Sequence, residues 1–505
     1  MSFSAPESRC YAYLLPLALV ALVAIPTACG PADSETAPGA KTASRDPALV
    51  LLDSVPVIMQ RADVQGLQLV FLESGEVTMT AAFGYADTES ETPVTDNTVF
   101  EAASLSKPVF AYAVLRMVDR GEWDLDQPLW EILEYERLAH DDRVKYLTTR
   151  HVLTHTTGLP NWAWGDTPLE FEADPGERWG YSGEGFVYLQ RAVEASTGLT
   201  LEEIGIQEVF EPLGMSSTHY VWIDSFETLA AIPHDEFGYP ADRRTPESGN
   251  AAGSLHTTAT DYARFVAAII SGEGLEPGTH AAMLAHGADL TGAEWGDDPE
   301  LKQHLFWGLG WGLQEGRRGP SFWHWGDQGT ARCFVLAYPE DGDALVYFTN
   351  SENGLAIGPA ILELAFDDDH WPLRWLDYGR YDDPARLARL GVTRSFVVDG
   401  AEAGMAAFEQ VKTEYPDLLD EGAVNGLGYV LLRREATDEA IWVFERNTID
   451  FPESSNVWDS LGEALRAGGR LEESIAMYGK SIELDPANDN ARRFITEMEE
   501  ELAGG

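Results

Sequence analysis

Strand-like segments stand at both ends of the first two-thirds of this chain, and a long helical stretch separates them. Leu67 to Leu72 and Val77 to Ala82 are apolar runs divided by Glu73-Ser74-Gly75-Glu76, which is a hairpin signal. From Val109 to about Arg264 the pattern is mainly helical, broken by Gly and Pro loops. Strand patterns return at Trp307 to Leu313, Arg332 to Tyr338 and Ala344 to Thr349, with Pro339 to Asp343 as a turn. A sheet built from such distant pieces must be closed by the two ends of its domain, which points to an α+β fold. At 505 residues the chain is too long for one ordinary core.

The character changes after about Pro372. Phe408 to Pro416, Phe444 to Pro452 and Tyr478 to Pro486 each place an aromatic residue eight positions before a proline. The last two units are offset by 34 residues, and the same offset superposes Leu427-Gly428 on Leu461-Gly462 and Ile441 on Ile475. Period and pattern resemble the tetratricopeptide repeat, a stack of helix pairs. Two clear units and one degenerate one are near the minimum for stability, so the module is expected to lean on the domain before it. Residues 373–394 are expected to be a linker, and 395–505 the repeats.

The N-terminus carries Arg9, an apolar run from Tyr11 to Ile25, and Pro26-Thr27-Ala28-Cys29-Gly30. The run is too short and too interrupted for a membrane span but suits a secretory signal over residues 1–28. A small residue before Cys29 resembles a bacterial lipoprotein processing site, with Cys29 lipidated. Pro26 departs from the usual leucine there, so ordinary cleavage after Ala28 stays open. The Ala, Ser, Thr, Gly and Pro-rich residues 29–46 read as a flexible tether. The expected location is the periplasmic face of a bacterial membrane, or the periplasm or exterior in soluble form. Of the three cysteines, Cys10 and Cys29 lie in this segment, and Cys333 reads as a buried thiol. A formal net charge of -50 argues against nucleic acid or anionic headgroups as partners.

The chemistry begins at Ser104-Leu105-Ser106-Lys107-Pro108. Proline is tolerated only in the first turn of a helix, so Pro108 places a helix start near Ser104 or Leu105, with Gly121 as its stop. Ser104 and Lys107 then share one face at the positive end of the helix dipole. There a hydroxyl can pass its proton to a neighbouring amine, and free backbone N–H groups can face an oxyanion. Lysine occurs at only six positions, 41, 107, 145, 302, 412 and 480. The spacing alone is weak, since 26 serines and six lysines give about 0.3 such pairs by chance. An SxxK serine also needs a second proton handler and a strand to hold substrate. Tyr181, in Trp179-Gly180-Tyr181-Ser182-Gly183, and His324-Trp325-Gly326-Asp327, expected just before a strand, are the candidates.

Phe100 to Pro108, Leu147 to Leu159, Phe210 to Met215, Ala252-Gly253-Ser254-Leu255, Gly308-Leu309-Gly310-Trp311 and His324 to Gly326 occur in the order found in the serine β-lactamase-like family. That family contains class C β-lactamases, D-alanyl-D-alanine carboxypeptidases, D-aminopeptidases and carboxylesterases. The resemblance covers residues 47–372 and implies a β-lactamase/transpeptidase-like fold, an antiparallel sheet flanked by helices. It implies Ser104 as the acylated nucleophile, Lys107 as its base or relay, and Tyr181 as the partner that serves the leaving group and the deacylating water. A phenol acting as a base needs nearby positive charge, which Lys107 could supply. The oxyanion falls to the N–H groups of Ser104 and Asp327, with Gly326, Gly183 and Trp325 at the substrate. His324 stands where the β-lactamases carry the lysine of Lys-Thr-Gly, and a neutral histidine weakens the binding of a carboxylate. Gly183 stands where Tyr-x-Asn has its amide, and the loss of a polar anchor worth about 1–3 kcal/mol tilts the expectation towards an ester.

Trp162, Trp164, Trp179, Trp307 and Trp325 would suit an apolar or ring-shaped substrate. His151 and His155 have the i, i+4 spacing of zinc ligands, but Val152 stands where the glutamate of HExxH belongs, so no metal is expected. No organic cofactor is implied. The expected activity is that of an exported serine hydrolase of a small ester, amide or peptide. Two alternatives are a D-amino-acid peptidase or β-lactamase acting on cell-wall peptides or antibiotics, and a non-catalytic sensor whose repeats recruit a protein partner.

Overall fold

The computed structural model describes residues 46–163, 168–291, 293 and 298–504. The expected signal peptide 1–28, Cys10, Cys29, the tether up to residue 45 and Trp164 lie outside the described residues. Helix α1 (Pro47–Ala62) leads into a hairpin of β1 (Gly66–Glu73) and β2 (Glu76–Asp87), turned at Ser74-Gly75 where both residues have positive φ. Then come β3 (Thr92–Pro93), β4 (Phe100–Ala103), helix α2 (Ser106–Asp119) and, beyond a run of helices and loops, β5 (Leu255–Thr257). β6 (Ala288–Asp289), β7 (Leu305–Trp307), β8 (Gly312–Gly316), β9 (Gly319–Asp327), β10 (Arg332–Tyr338) and β11 (Asp343–Thr349) complete the strands.

The antiparallel sheet runs β3-β2-β1-β11-β10-β9-β8-β7-β6, and β4 and β5 form a separate ribbon. The pairing of β1 with β11, Leu67 opposite Thr349 and Leu72 opposite Ala344, is the closure by distant chain ends that the strand pattern required. Successive side chains point to opposite faces, and here both faces are covered. Val70, Leu72, Val335, Ala337, Val346 and Phe348 enter a core built with α2 and the helix Ala259–Ser271. Leu69, Phe71, Phe334, Leu336, Leu345 and Tyr347 enter a second core under α1 and the helix Gly358–Ala365. This double burial is why the strands read as unbroken apolar runs.

Three expectations need correction. Trp307 to Leu313 is not one strand: Gly308 to Trp311 turn between β7 and β8, with Gly310 at φ +92°. His324 to Asp327 do not precede a strand but form the end of β9. Residues 373–394 are not a linker. Trp375 is buried in the second core, Tyr381 closes the same cluster, and Pro384–Arg394 is a helix packed on the helix Ala401–Glu414.

The C-terminal part is all helical. Glu421–Arg433 and Thr437–Asp450 form one pair, Ser455–Ala467 and Leu471–Leu484 the next, and Asp489–Gly504 follows. The pairs begin 34 residues apart, at Glu421 and Ser455. The repeated Gly and aromatic positions pack against each other: a Cβ on Gly428 would stand 2.4 Å from the Phe444 ring, and one on Gly462 3.0 Å from Tyr478. The module leans on the sheet domain through Arg394 with Asp63, 2.9 Å apart, and Arg434 with Asp235.

Candidate active site

Ser104 sits between β4 and α2, directly after Ala103, whose φ of +49° is unusual for a residue with a side chain. That bend lifts Ser104 out of the ribbon into the first turn before the helix, where its carbonyl accepts the Lys107 N–H at 3.0 Å. The turn is held from several sides. Ser106 Oγ donates to Ala103 O at 2.6 Å and accepts the Leu255 N–H at 2.9 Å, while Tyr262 and Tyr220 donate their hydroxyls to the carbonyls of Leu105 and Ser106. The Ala252 to Leu255 segment therefore acts as a brace for the start of α2.

Lys107 Nζ donates to Ser104 Oγ at 3.0 Å and to Ala252 O at 2.7 Å. It is fully buried, 4.7 Å from the centre of the Tyr181 ring, and burial pushes its pKa down from 10.5 to about 7. Tyr181 hydrogen-bonds to Ser104, but burial outweighs that bond and drives the phenol above its ordinary value. The expectation that Lys107 would make Tyr181 a base is thus reversed: Tyr181 is a neutral phenol, and the Lys107 amine is the group with a lone pair to offer near neutral pH.

Two histidines complete the cluster. The sequence shows His155 only through its i, i+4 spacing from His151. In the fold it stacks on Tyr181 with ring centres 4.3 Å apart and accepts the Ser182 N–H on Nδ1 at 3.0 Å. Its partner in that spacing, His151, caps its own short helix with Thr148. Burial, then the Lys107 and His324 charges, hold His155 well below the usual range. A signal for His155 was present in its place within the Leu147 to Leu159 segment, but nothing in that segment says what the ring faces.

His324 departs from its expected role. His324 and Trp325 are neighbours in β9 with ring centres 5.2 Å apart, and Trp325 is the one that lines the cleft. His324 is fully buried behind it, donates Nδ1–H to the Trp325 carbonyl at 2.8 Å, and is pushed down to about 3 by burial and then by Lys107. It offers a substrate no charge. Gly326 and Gly183 do not line the cleft either. A Cβ on Gly326 would stand 2.4 Å from both Ala102 O and Cys333 Sγ, so this glycine lets β9 pass against β4. A Cβ on Gly183 would stand 2.7 Å from the ring of Trp162. Cys333 is buried with its thiol on Ala102 O, as expected.

The cleft in front of Ser104 encloses about 1290 Å³. Trp162, Trp325 and Tyr181 form an aromatic wall, joined by Trp375 and Tyr378 from residues 373–394. Trp179 and Trp307 are buried beneath, in contact with Tyr181 and His155. At the end of β9, Gln328 N–H donates to Ala331 O at 3.0 Å. This fixes the alternation with β10, so the preceding N–H, that of Asp327, turns away from β10. The Asp327 carboxylate is neutralised by Arg332 at 3.1 Å. Taken together, a serine hydroxyl bonded to an amine poised near neutrality faces an aromatic cleft, which suits acyl transfer.

Residues 54–368 match the family model described as Beta-lactamase. Esterase EstB of Burkholderia gladioli is 28% identical over 291 residues, covering 46% of this chain and 73% of that protein. Penicillin-binding protein 4* of Bacillus subtilis (strain 168) is 24% identical over 336 residues, covering 58% of this chain and 70% of that protein. Among solved structures, the octameric penicillin-binding protein homologue from Pyrococcus abyssi superposes with a TM-score of 0.54 at 21% identity, covering 68% of this chain and 80% of that one. At that identity the likeness shows the fold.

Proposed function

The chain belongs to the beta-lactamase family, and we propose that it is an exported serine hydrolase that opens an ester, and less readily an amide, through an acyl-enzyme on Ser104. The observation that carries this reading is the Lys107 amine, at about 7 in its buried site and 3.0 Å from Ser104 Oγ. Ser104 Oγ attacks the carbonyl carbon as its proton passes to Lys107 Nζ. The N–H groups of Ser104 and Asp327 receive the developing oxyanion. Tyr181, a neutral phenol bonded to Ser104, gives its proton to the leaving oxygen and recovers one from the Lys107 ammonium. The carbon–oxygen bond then breaks. Water attacks the acyl-enzyme with its proton following the reverse route, and Ser104 is restored.

Preference for an ester rests on what the cleft does not offer. His324 is neutral and sealed behind Trp325, and Gly183 brings no side chain, so neither position supplies the charge or amide that a β-lactam would use. The name of the Burkholderia gladioli relative, an esterase, supports the same direction. Export rests on residues 9–29 alone, with Cys29 as the lipidation site; among the described residues no helix is long and apolar enough to cross a membrane. The helical module is read as tetratricopeptide-like from its 34-residue period.

The test compares a short-chain p-nitrophenyl ester with a chromogenic cephalosporin. Turnover of the ester at a kcat/KM at least roughly 100-fold above that of the cephalosporin, lost in Ser104→Ala, is the expected result. The opposite preference moves the protein to the peptidase or β-lactamase reading. Turnover of neither, with the fold intact, leaves the sensor reading.

A further inference from the structure

A second cavity, of about 510 Å³, lies where the helical module meets the sheet domain and shares no lining residue with the cleft of Ser104. Arg386, Arg389, Leu390 and Thr393 reach it from the helix Pro384–Arg394, at the spacing of one helix face. Ala423, Leu427, Val430 and Arg433 reach it from the helix Glu421–Arg433, again from one face. The sheet domain contributes Glu236, next to the Asp235 that pairs with Arg434.

The charge of this cavity runs against that of the chain, which carries 84 acidic and 34 basic residues. Arg389 and Arg433 are exposed, and among the described residues neither makes an ion pair or a side-chain hydrogen bond. Arg386 donates to Asn353 Oδ1 at 2.6 Å and to the Tyr378 carbonyl at 3.4 Å, neither of them a carboxylate. Burial pulls its guanidinium below the ordinary value; Glu236 opposes this, and Arg332 and Arg389 add to it. Glu236 is the acidic side chain among the described lining residues. Burial, and then the neighbouring Glu352, raise its carboxyl to about 7, so near neutral pH it offsets only part of the charge of the three arginines.

The planar fork of a guanidinium matches a carboxylate with two parallel hydrogen bonds. Leu390, Leu419, Leu427 and Val430 give the same cavity an aliphatic wall, which a bare inorganic anion would leave unused. A dianion would also meet Glu236, so a single negative charge suits the cavity better. We propose that this cavity binds an aliphatic monocarboxylate, its head group between Arg389 and Arg433 and its chain over Leu390, Leu427 and Val430. The two arginines stand on different helices, so one ligand bridges both. Ser104 takes no part in the binding.

The test is isothermal titration calorimetry on the full chain at pH 7.5 and low ionic strength, with octanoate, hexanoate and the uncharged octanamide. Octanoate should bind about tenfold more tightly than hexanoate, because two further methylenes leave water. It should bind at least roughly tenfold more tightly than octanamide, which cannot form the charged pair. The double variant Arg389→Gln/Arg433→Gln should weaken octanoate by roughly tenfold or more, and since both side chains are exposed and unpartnered, its thermal unfolding midpoint should not fall. If the midpoint does fall, Arg433→Gln alone carries the comparison, with a loss of roughly threefold or more. No octanoate binding to the parent, or octanamide binding as tightly, overturns the inference. Octanoate binding unchanged in a folded variant also overturns it and places the ligand elsewhere, in the aromatic cleft.

Discussion

Replacing Lys107 by methionine separates what the buried amine does for catalysis from what it costs the fold. The amine titrates at about 7 in the folded protein against 10.5 in the unfolded chain. That gap corresponds to about 4–5 kcal/mol. The folded value lies below the unfolded one, so between pH 7 and 10.5 the unfolded chain binds more protons, and stability rises with pH across that window. The amine is thus most destabilising below about pH 7, and the cost fades as pH approaches 10.5. Lys107→Met abolishes this cost but leaves Ser104 Oγ and Ala252 O without their donor, a loss of about 1–3 kcal/mol. At pH 7.5 the variant is therefore expected to be more stable than the parent by about 2 kcal/mol, and its ester turnover to fall by about 10²–10⁴-fold. Denaturant unfolding followed by tryptophan fluorescence at pH 7.5 and 9.5 gives the decisive quantity. The stability difference between variant and parent is expected to shift by about 2.5 kcal/mol in favour of the parent over that interval. A difference that stays flat between the two pH values would show an ordinary lysine and refute the reasoning.

Other outcomes follow from the same site and from the repeats. The kcat/KM for a neutral ester should rise with pH through about 7 as the Lys107 amine loses its proton, measured as a pH–rate profile. Gly183→Asn, which restores a Tyr-x-Asn pattern, should lower thermal stability and ester turnover because its Cβ meets the Trp162 ring at 2.7 Å; the second change Trp162→Ala should recover part of the stability. Gly428→Ala, whose Cβ would stand 2.4 Å from the Phe444 ring, should cost about 1–3 kcal/mol in the helical module, read by calorimetry, with ester turnover unaffected.

The α+β order, the hairpin at Ser74-Gly75 and the helix start at Ser104 to Pro108 were legible because each depends on near neighbours in sequence. So was the 34-residue period, since Gly428 with Phe444 and Gly462 with Tyr478 repeat a local contact. What escaped depends on the third dimension. His324 and Trp325 are adjacent, and only their place within β9 decides that Trp325 faces the cleft while His324 is sealed behind it. The direction of the Tyr181 shift follows from how much protein covers the phenol, which no spacing reveals. Trp375 and Tyr378 reach the cleft from beyond the point where the strand pattern ends.

The central claim is that Ser104 becomes acylated because Lys107 stands ready to take its proton. Treating the purified protein with a fluorophosphonate probe and mapping the modified peptide by mass spectrometry tests it most directly. The expected result is one phosphonylated residue, Ser104, with labelling that accelerates as pH rises through about 7 and disappears in Ser104→Ala. Labelling at another residue, or none in a folded protein, would contradict the account.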